Sequence, residues 1–136
     1  MIASLLLPEE LRAQIAREAS AAIPRECCGL IEGHRDGTRA IATVLHSTRN
    51  IADEADRFEI DPAAHIALLK KLRGTDRAII GCYHSHPNGC ATPSPSDRGG
   101  AHETGFLWLV QAVDLRGFVW TGADFAAVAL ADSAFA

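Results

Sequence analysis

The sequence predicts an α+β domain: a mixed sheet with helices packed on it, in an α/β three-layer arrangement. Three observations carry this. Short apolar stretches bounded by Gly, Asp and Asn recur from Cys27 to Leu130. Two segments with helical spacing and helix-start residues interrupt them. Hydrophobic residues make up 48% of 136 residues, enough for a core without disulfide or metal staples. We read the whole span, 1–136, as a single domain.

The elements follow in order. Pro8 to Ala22 is predicted as a helix: proline suits its first position, Glu9 and Glu10 favour its positive end, and Leu11, Ile15 and Ala19 share a face. Pro24 closes it. Cys27 to Glu32 is a short apolar strand, and a turn at Asp36-Gly37 pairs it with a second strand over Thr38 to Ser47. Arg49 to Asp56 is polar and loop-like, and Arg57 to Ile60 is expected as a brief strand. Asp61 caps a second helix with Pro62 in its first turn. Ile66, Leu69 and Leu72 are expected to form its buried stripe, with Leu68 close by, and Gly74 ends it. Ala78 to Tyr83 is a buried strand. Ser94 to Asp97 opens a short helix or turn. Phe106–Val113, Arg116–Thr121 and Phe125–Leu130 read as three strands joined by tight turns.

Composition narrows the function classes. The net charge is −4, with both signs interleaved and no basic block, so nucleic acid is not an expected partner. No apolar run reaches membrane-span length, so no membrane partner is expected either. The start, Met1 to Pro8, lacks the basic residues of a signal peptide and is too short for one. The four cysteines include an adjacent pair, Cys27 and Cys28, inside an apolar run, and no Cys-x-x-Cys occurs. They read as small buried hydrophobes of a reducing, cytoplasmic compartment. Cys90 differs: it lies in a polar loop, where it reads as a competing soft metal ligand or an oxidisable thiol.

The chemistry concentrates in residues 81–97. His84 and His86 sit two apart at the end of the predicted strand, so both point to one face. Pro87 turns the chain, and Asp97 follows at a distance that lets it return to the same spot. Two imidazoles and one carboxylate form a common ligand set for a catalytic zinc, with one corner left for water. Metal-assisted hydrolysis also needs a proton carrier and a donor to the developing oxyanion. Glu26, Glu32, Glu54, Glu59 and Glu103 are the candidate carriers. Glu26 is favoured because it leads directly into the strand after it, where Gly29 permits close backbone approach. By themselves, Ser94 reads as a helix N-cap and Asp97 as a first-turn acid; both roles are compatible with a metal site. His34, His46, His65 and His102 have no partner spacing and read as surface or structural residues.

Together these residues resemble the JAMM (MPN-plus) zinc metallopeptidase family, in its small prokaryotic form. The resemblance rests on Glu26 followed by Cys-Gly-Leu-Ile-x-Gly, on His84-Ser85-His86-Pro87, and on Ser94-x-x-Asp97. Asn50, Arg57-Phe58 and Asp61-Pro62 also match small prokaryotic members. The resemblance implies that His84, His86 and Asp97 bind Zn2+, that Glu26 acts as general base and then acid, and that Ser94 donates to the oxyanion. It implies a curved mixed sheet with flanking helices, related to the cytidine-deaminase architecture. Deaminase chemistry is not expected, because the Pro-Cys-x-x-Cys element is absent. The implied activity is a peptidase or isopeptidase acting at the C-terminal tail of a ubiquitin-like or sulfur-carrier protein, a tail that would add as a strand to an exposed sheet edge. The chain shows none of the long insertions with which polyubiquitin-cleaving relatives hold their substrate. A non-catalytic MPN-type scaffold and a phage-tail or cell-wall zinc peptidase are the alternatives. Neither the scissile sequence nor the oligomeric state is legible.

Overall fold

A computed structural model describes residues 1–132; the single-domain reading runs four residues beyond these, outside the described residues. The elements are β1 (Ser4–Leu6), α1 (Glu9–Ala22), β2 (Cys28–Asp36), β3 (Arg39–Thr48), α2 (Pro62–Leu72), β4 (Ala78–Ser85), α3 (Pro95–Gly100), β5 (Leu107–Gln111), β6 (Leu115–Trp120) and β7 (Phe125–Ala131). The strands form one mixed sheet in the order β1-β3-β2-β4-β5-β6-β7. The sheet closes on itself, because β1 pairs in parallel with both β3 and β7. This is the α+β class that the sequence predicts, with one strand, β1, that was not expected. β1 escapes a periodicity reading because Ser4-Leu5-Leu6 is too short to show alternation.

Two other expectations are corrected. Arg57 to Ile60 is not a strand: only Ile60 pairs, in one bridge with Asn50. In α2 the buried residues are Leu68 and Leu72, whereas Ile66 and Leu69 stay 52% and 50% exposed. A face spaced by four residues, rather than the Ile66-Leu69-Leu72 stripe, meets the sheet. The caps behave as read. Asp61 accepts from the Ala63 N–H at 3.0 Å, a bond of about 1 kcal/mol at a helix start, and Gly74 follows α2 in the left-handed region.

The apolar side chains sort into two clusters. One joins β1 and α1 to Ile31, Ile80, Tyr83, Leu107 and Leu109. The other joins α2 to Leu30, Ile79, Cys82, Trp108 and Trp120. In β2 and β5 adjacent residues alternate between the clusters, as a pleated strand requires. β4 alternates too, but with one surplus residue: Ile31 pairs with Gly81 and Glu32 with Ile79, leaving Ile80 unmatched. Beyond that bulge Tyr83 faces the α1 side. Its hydroxyl donates to Glu18 at 2.7 Å, and a side chain at position 29 would collide with its ring. Gly29 thus makes room for Tyr83 rather than for the chemical end of the sheet. His84, next in line, faces the α2 side.

Candidate metal and catalytic site

His84 ends the pairing of β4 with β2, opposite Cys28, and is fully buried. Its ring stacks on Phe58, with centroids 4.2 Å apart, and meets the edge of Trp108 at 5.9 Å. Two aromatic neighbours leave the imidazole little freedom to rotate. His86 follows two residues later, past buried Ser85. Its Nδ1 lies 2.7 Å from the Cys90 carbonyl, an acceptor only, so Nδ1 carries the proton and Nε2 presents a lone pair.

Asp97 arrives from α3. Ser94 caps that helix: its hydroxyl oxygen accepts from the Asp97 N–H at 3.0 Å, and its own N–H donates to Asp97 Oδ2 at 2.9 Å. This reciprocal box holds the carboxylate by the backbone on both sides. Asp97 Oδ2 lies 3.0 Å from His84 Nε2 and 3.1 Å from His86 Nε2, and the two nitrogens are 2.9 Å apart. Glu26 closes the same spot from the strand entrance. One of its carboxylate oxygens and the two histidine nitrogens lie within 4.8 Å of one another, and all three residues are buried.

The arrangement fits a divalent metal. Three donors bound at 2.0–2.2 Å in tetrahedral geometry stand roughly 3.3 Å apart, close to the three spacings here. Two imidazole nitrogens and a carboxylate oxygen at these separations are the donor set that a divalent cation between them would satisfy. Glu26 Oε1 and His84 Nδ1 are buried with no hydrogen-bond partner, which marks the site as polar beyond its internal bonds.

Electrostatics follows from burial and neighbours. Burial pushes the Glu26 carboxyl up to about 7; His86 opposes that rise, while Asp97 and Asp56 add to it. Burial would also raise Asp97, but hydrogen bonds from His84 and His86, with the field of His84 and the Ser94 N–H, hold it well below the usual carboxylate range. His84 is lowered by burial, which outweighs Asp97. For His86 burial lowers the pKa, but Asp97, the Cys90 carbonyl and Glu26 together raise it.

Two grooves reach the site. A cleft of about 330 Å³ is lined by Glu26, His86, Ser94, Asp56 and Pro24. A larger one, about 700 Å³, runs past Phe58, Trp108 and Asp97 along residues 51–59.

Of the other candidate carboxylates, Glu32 is engaged elsewhere, 2.8 Å from His46 Nε2, so His46 does have a partner. Glu54 and Glu59 line the larger groove. Cys27, Cys28 and Cys82 are buried and Cys90 is exposed; all four are free. The Cys90 thiol points to Thr92 Oγ1 at 3.0 Å, and that hydroxyl and the Thr92 backbone lower its pKa. It is the Cys90 carbonyl that serves the site. Sequence reasoning missed Ser85, whose Oγ accepts from the Cys27 N–H at 2.8 Å beside Glu26, and the stacking of Phe58 on His84. Only the partial periodicity of β4 and the match of Arg57-Phe58 to small prokaryotic members hinted at either.

Comparison with known proteins agrees with this architecture. Residues 8–124 match a family described as prokaryotic homologs of the JAB domain. The desampylase of Haloferax volcanii is 32% identical over 120 residues, 85% of each chain. The "Probable TtuB-protein conjugate cleaving protease" of Thermus thermophilus is 38% identical over 92 residues, 67% of this chain and 56% of that protein. Protein DSY2949 of Desulfitobacterium hafniense shares the fold, with a TM-score of 0.81 at 24% identity over 95% of this chain and 94% of that one. The matched span takes in every residue from Glu26 to Asp97, and the chain belongs to the prokaryotic JAB-domain family.

Proposed function

We propose that this chain is a zinc-dependent peptidase or isopeptidase of the JAMM type, cleaving at the C-terminal tail of a ubiquitin-like or sulfur-carrier protein. One observation carries the reading: a buried carboxylate with a free oxygen, Glu26 Oε1, stands beside two histidines that already converge on a different carboxylate. That division of labour assigns the two acids. Asp97, within hydrogen-bond distance of both Nε2 atoms and gripped by Ser94, is a ligand with His84 and His86. Glu26, left with a free oxygen, is the proton carrier.

The residues act as follows. Zinc, when bound, supplies Lewis-acid polarisation of the scissile carbonyl and a lowered pKa for water. Glu26 Oε1 takes a proton from the attacking water and passes it to the leaving nitrogen as the C–N bond breaks. A carboxyl with a raised pKa suits both halves of that transfer. The Ser94 hydroxyl oxygen accepts from Asp97 N–H, which leaves its own proton free to donate to the oxyanion. His84 and His86 keep their nitrogens aimed through Phe58 and the Cys90 carbonyl.

The names of the relatives favour the substrate class: desampylase in Haloferax volcanii and TtuB-protein conjugate cleavage in Thermus thermophilus. β1 pairs with β3 only at Arg39–Ile41 and with β7 only at Ala129–Ala131, so the closure leaves stretches of strand edge to which a tail would add. The two grooves flanking α3 share Pro95 and Ser96, and a glycine-rich tail suits the approach past His86. No helix among the described residues is long and apolar enough to cross a membrane, and four free cysteines suit the reducing cytoplasm that we assign to it. The three-layer arrangement and the kinship with cytidine deaminases belong to the same reading; the two clusters, with α1 in one and α2 in the other, support it. We also read the chain as one domain.

The test is incubation with ubiquitin-like conjugates and tail-extended precursors, followed by intact-mass measurement. Cleavage at the tail is expected from the zinc-loaded parent. Glu26→Ala should remove it while zinc stays near one per chain; undiminished cleavage by this variant would overturn the mechanism.

A further inference from the structure

We propose that Asn50 is a positioning residue for Glu26, a clasp that fixes the carboxylate and the loop 51–59 in one geometry. The inference rests on the peptidase reading above.

Asn50 lies two residues past β3. Its Nδ2 donates to the Glu26 carbonyl at 2.9 Å and to the Arg57 carbonyl at 3.0 Å. Its Oδ1 accepts from the Ala52 N–H at 3.0 Å and from the Glu59 N–H at 3.1 Å. A side-chain amide has two donor hydrogens and two acceptor lone pairs, and all four are used. Turning the amide over would set N–H against N–H and oxygen against oxygen, so its orientation is determined.

The backbone draws the same loop shut. Asn50 bridges to Ile60, and the Ile51 N–H donates to the Glu59 carbonyl at 3.0 Å. Arg25, beside Glu26, adds guanidinium bonds to the Ala52 and Asp53 carbonyls. The loop so tied carries Phe58, the ring stacked on His84, and Asp56, which lines the cleft with Glu26.

The need for a clasp follows from the freedom of the Glu26 carboxylate. Oε1 has no hydrogen-bond partner to hold it. A side chain without its own bonds inherits its place from the backbone that bears it. That backbone is held from the β4 side by Ser85, whose Oγ accepts from the Cys27 N–H and whose N–H donates to the Cys27 carbonyl at 3.2 Å. From the other side Asn50 holds the Glu26 carbonyl. Neither Asp nor Ser offers two donors and two acceptors in one plane. Partners that orient a reacting group without touching substrate typically cost about 10- to 100-fold in activity when removed.

The experiment compares Asn50→Ala and Asn50→Asp in the zinc-loaded full chain with a tail-extended ubiquitin-like protein. Both variants should lower kcat about 10- to 100-fold with KM changed less than about threefold and zinc near one per chain. Asn50→Asp keeps the acceptor arm, loses the donors to the Glu26 and Arg57 carbonyls and sets a charged oxygen against both; parent kcat in this variant, or an effect confined to KM, would overturn the proposal. Amide hydrogen exchange gives a readout that needs no turnover. In Asn50→Ala the Ala52 and Glu59 amides should exchange at least about tenfold faster, and in Asn50→Asp near the parent rate. If the parent cleaves no such substrate, the function reading alone fails; Ala52 and Glu59 amides exchanging at parent rates in Asn50→Ala would sink the clasp itself.

Discussion

Two glutamates on one stretch of chain, Glu26 and Glu32, meet histidines in opposite ways. Glu32 sits inside β2 with its Oε1 2.8 Å from His46, and both side chains reach solvent, at 12% and 27% exposure. Glu26, just before β2, is 5% exposed and keeps one oxygen without a partner. The histidines it faces are already engaged with Asp97. Glu32–His46 is a closed account: one acid, one base, one bond. The Glu26 end leaves two buried polar atoms, Glu26 Oε1 and His84 Nδ1, without a partner. A buried site that is left unsatisfied in this way carries a cost in stability, which chemistry can use.

Breaking the chemical end should have the largest effect. Ser94→Ala removes the proposed oxyanion donor and should lower kcat roughly 100- to 1,000-fold in a tail-cleavage assay. An unchanged kcat would make Ser94 a helix cap alone. The comparison sharpens when stability is read instead of rate. The folded pKa of Glu26, about 7, lies above its ordinary 4.5, so the fold favours the protonated form. Its contribution is fully present below pH 4.5 and is lost as pH rises through 7. Glu26→Gln should therefore stabilise the metal-free protein on the order of 2 kcal/mol at pH 8 and hardly at pH 4, as thermal melts would show. Glu32→Gln should do the reverse in sign, costing up to about 1 kcal/mol while leaving cleavage intact. Equal behaviour of the two variants would erase the distinction drawn here. The smallest effect belongs to Cys90→Ser. Only the carbonyl of Cys90 reaches His86, so kcat should stay within about twofold of the parent; a large loss would show that the thiol itself takes part.

The split between what could and could not be read from sequence follows the range of the interactions. Local signals were legible: Asp61 and Ser94 as caps, the turn at Asp36-Gly37, and the strand ending in His84. The convergence of His84, His86 and Asp97 was legible because only a short loop separates them. Interactions between distant segments were not. Asn50 reaches Glu26 across 24 residues through backbone groups that every residue type carries, so no composition or spacing betrays it. β1 closes the sheet with three residues, too few to carry a period. The buried face of α2 was misjudged because Ile66, Leu68, Leu69 and Leu72 offer two apolar faces, and only the sheet chooses between them. Phe58 falls in a stretch that reads as a strand, whereas its ring lies flat on an imidazole and the residues on either side of it, Arg57 and Glu59, hang from an asparagine.

The unmatched Ile80 sets the handedness of everything after it. Straighten β4 with Ile79 held in place, so that Ile80 takes a partner, and the phenol of Tyr83 swings towards α2, while the imidazole of His84 dives into the oily interior beside Ile15 and Leu109. The protein would still have every group its chemistry asks for, arranged on the wrong side of the wall.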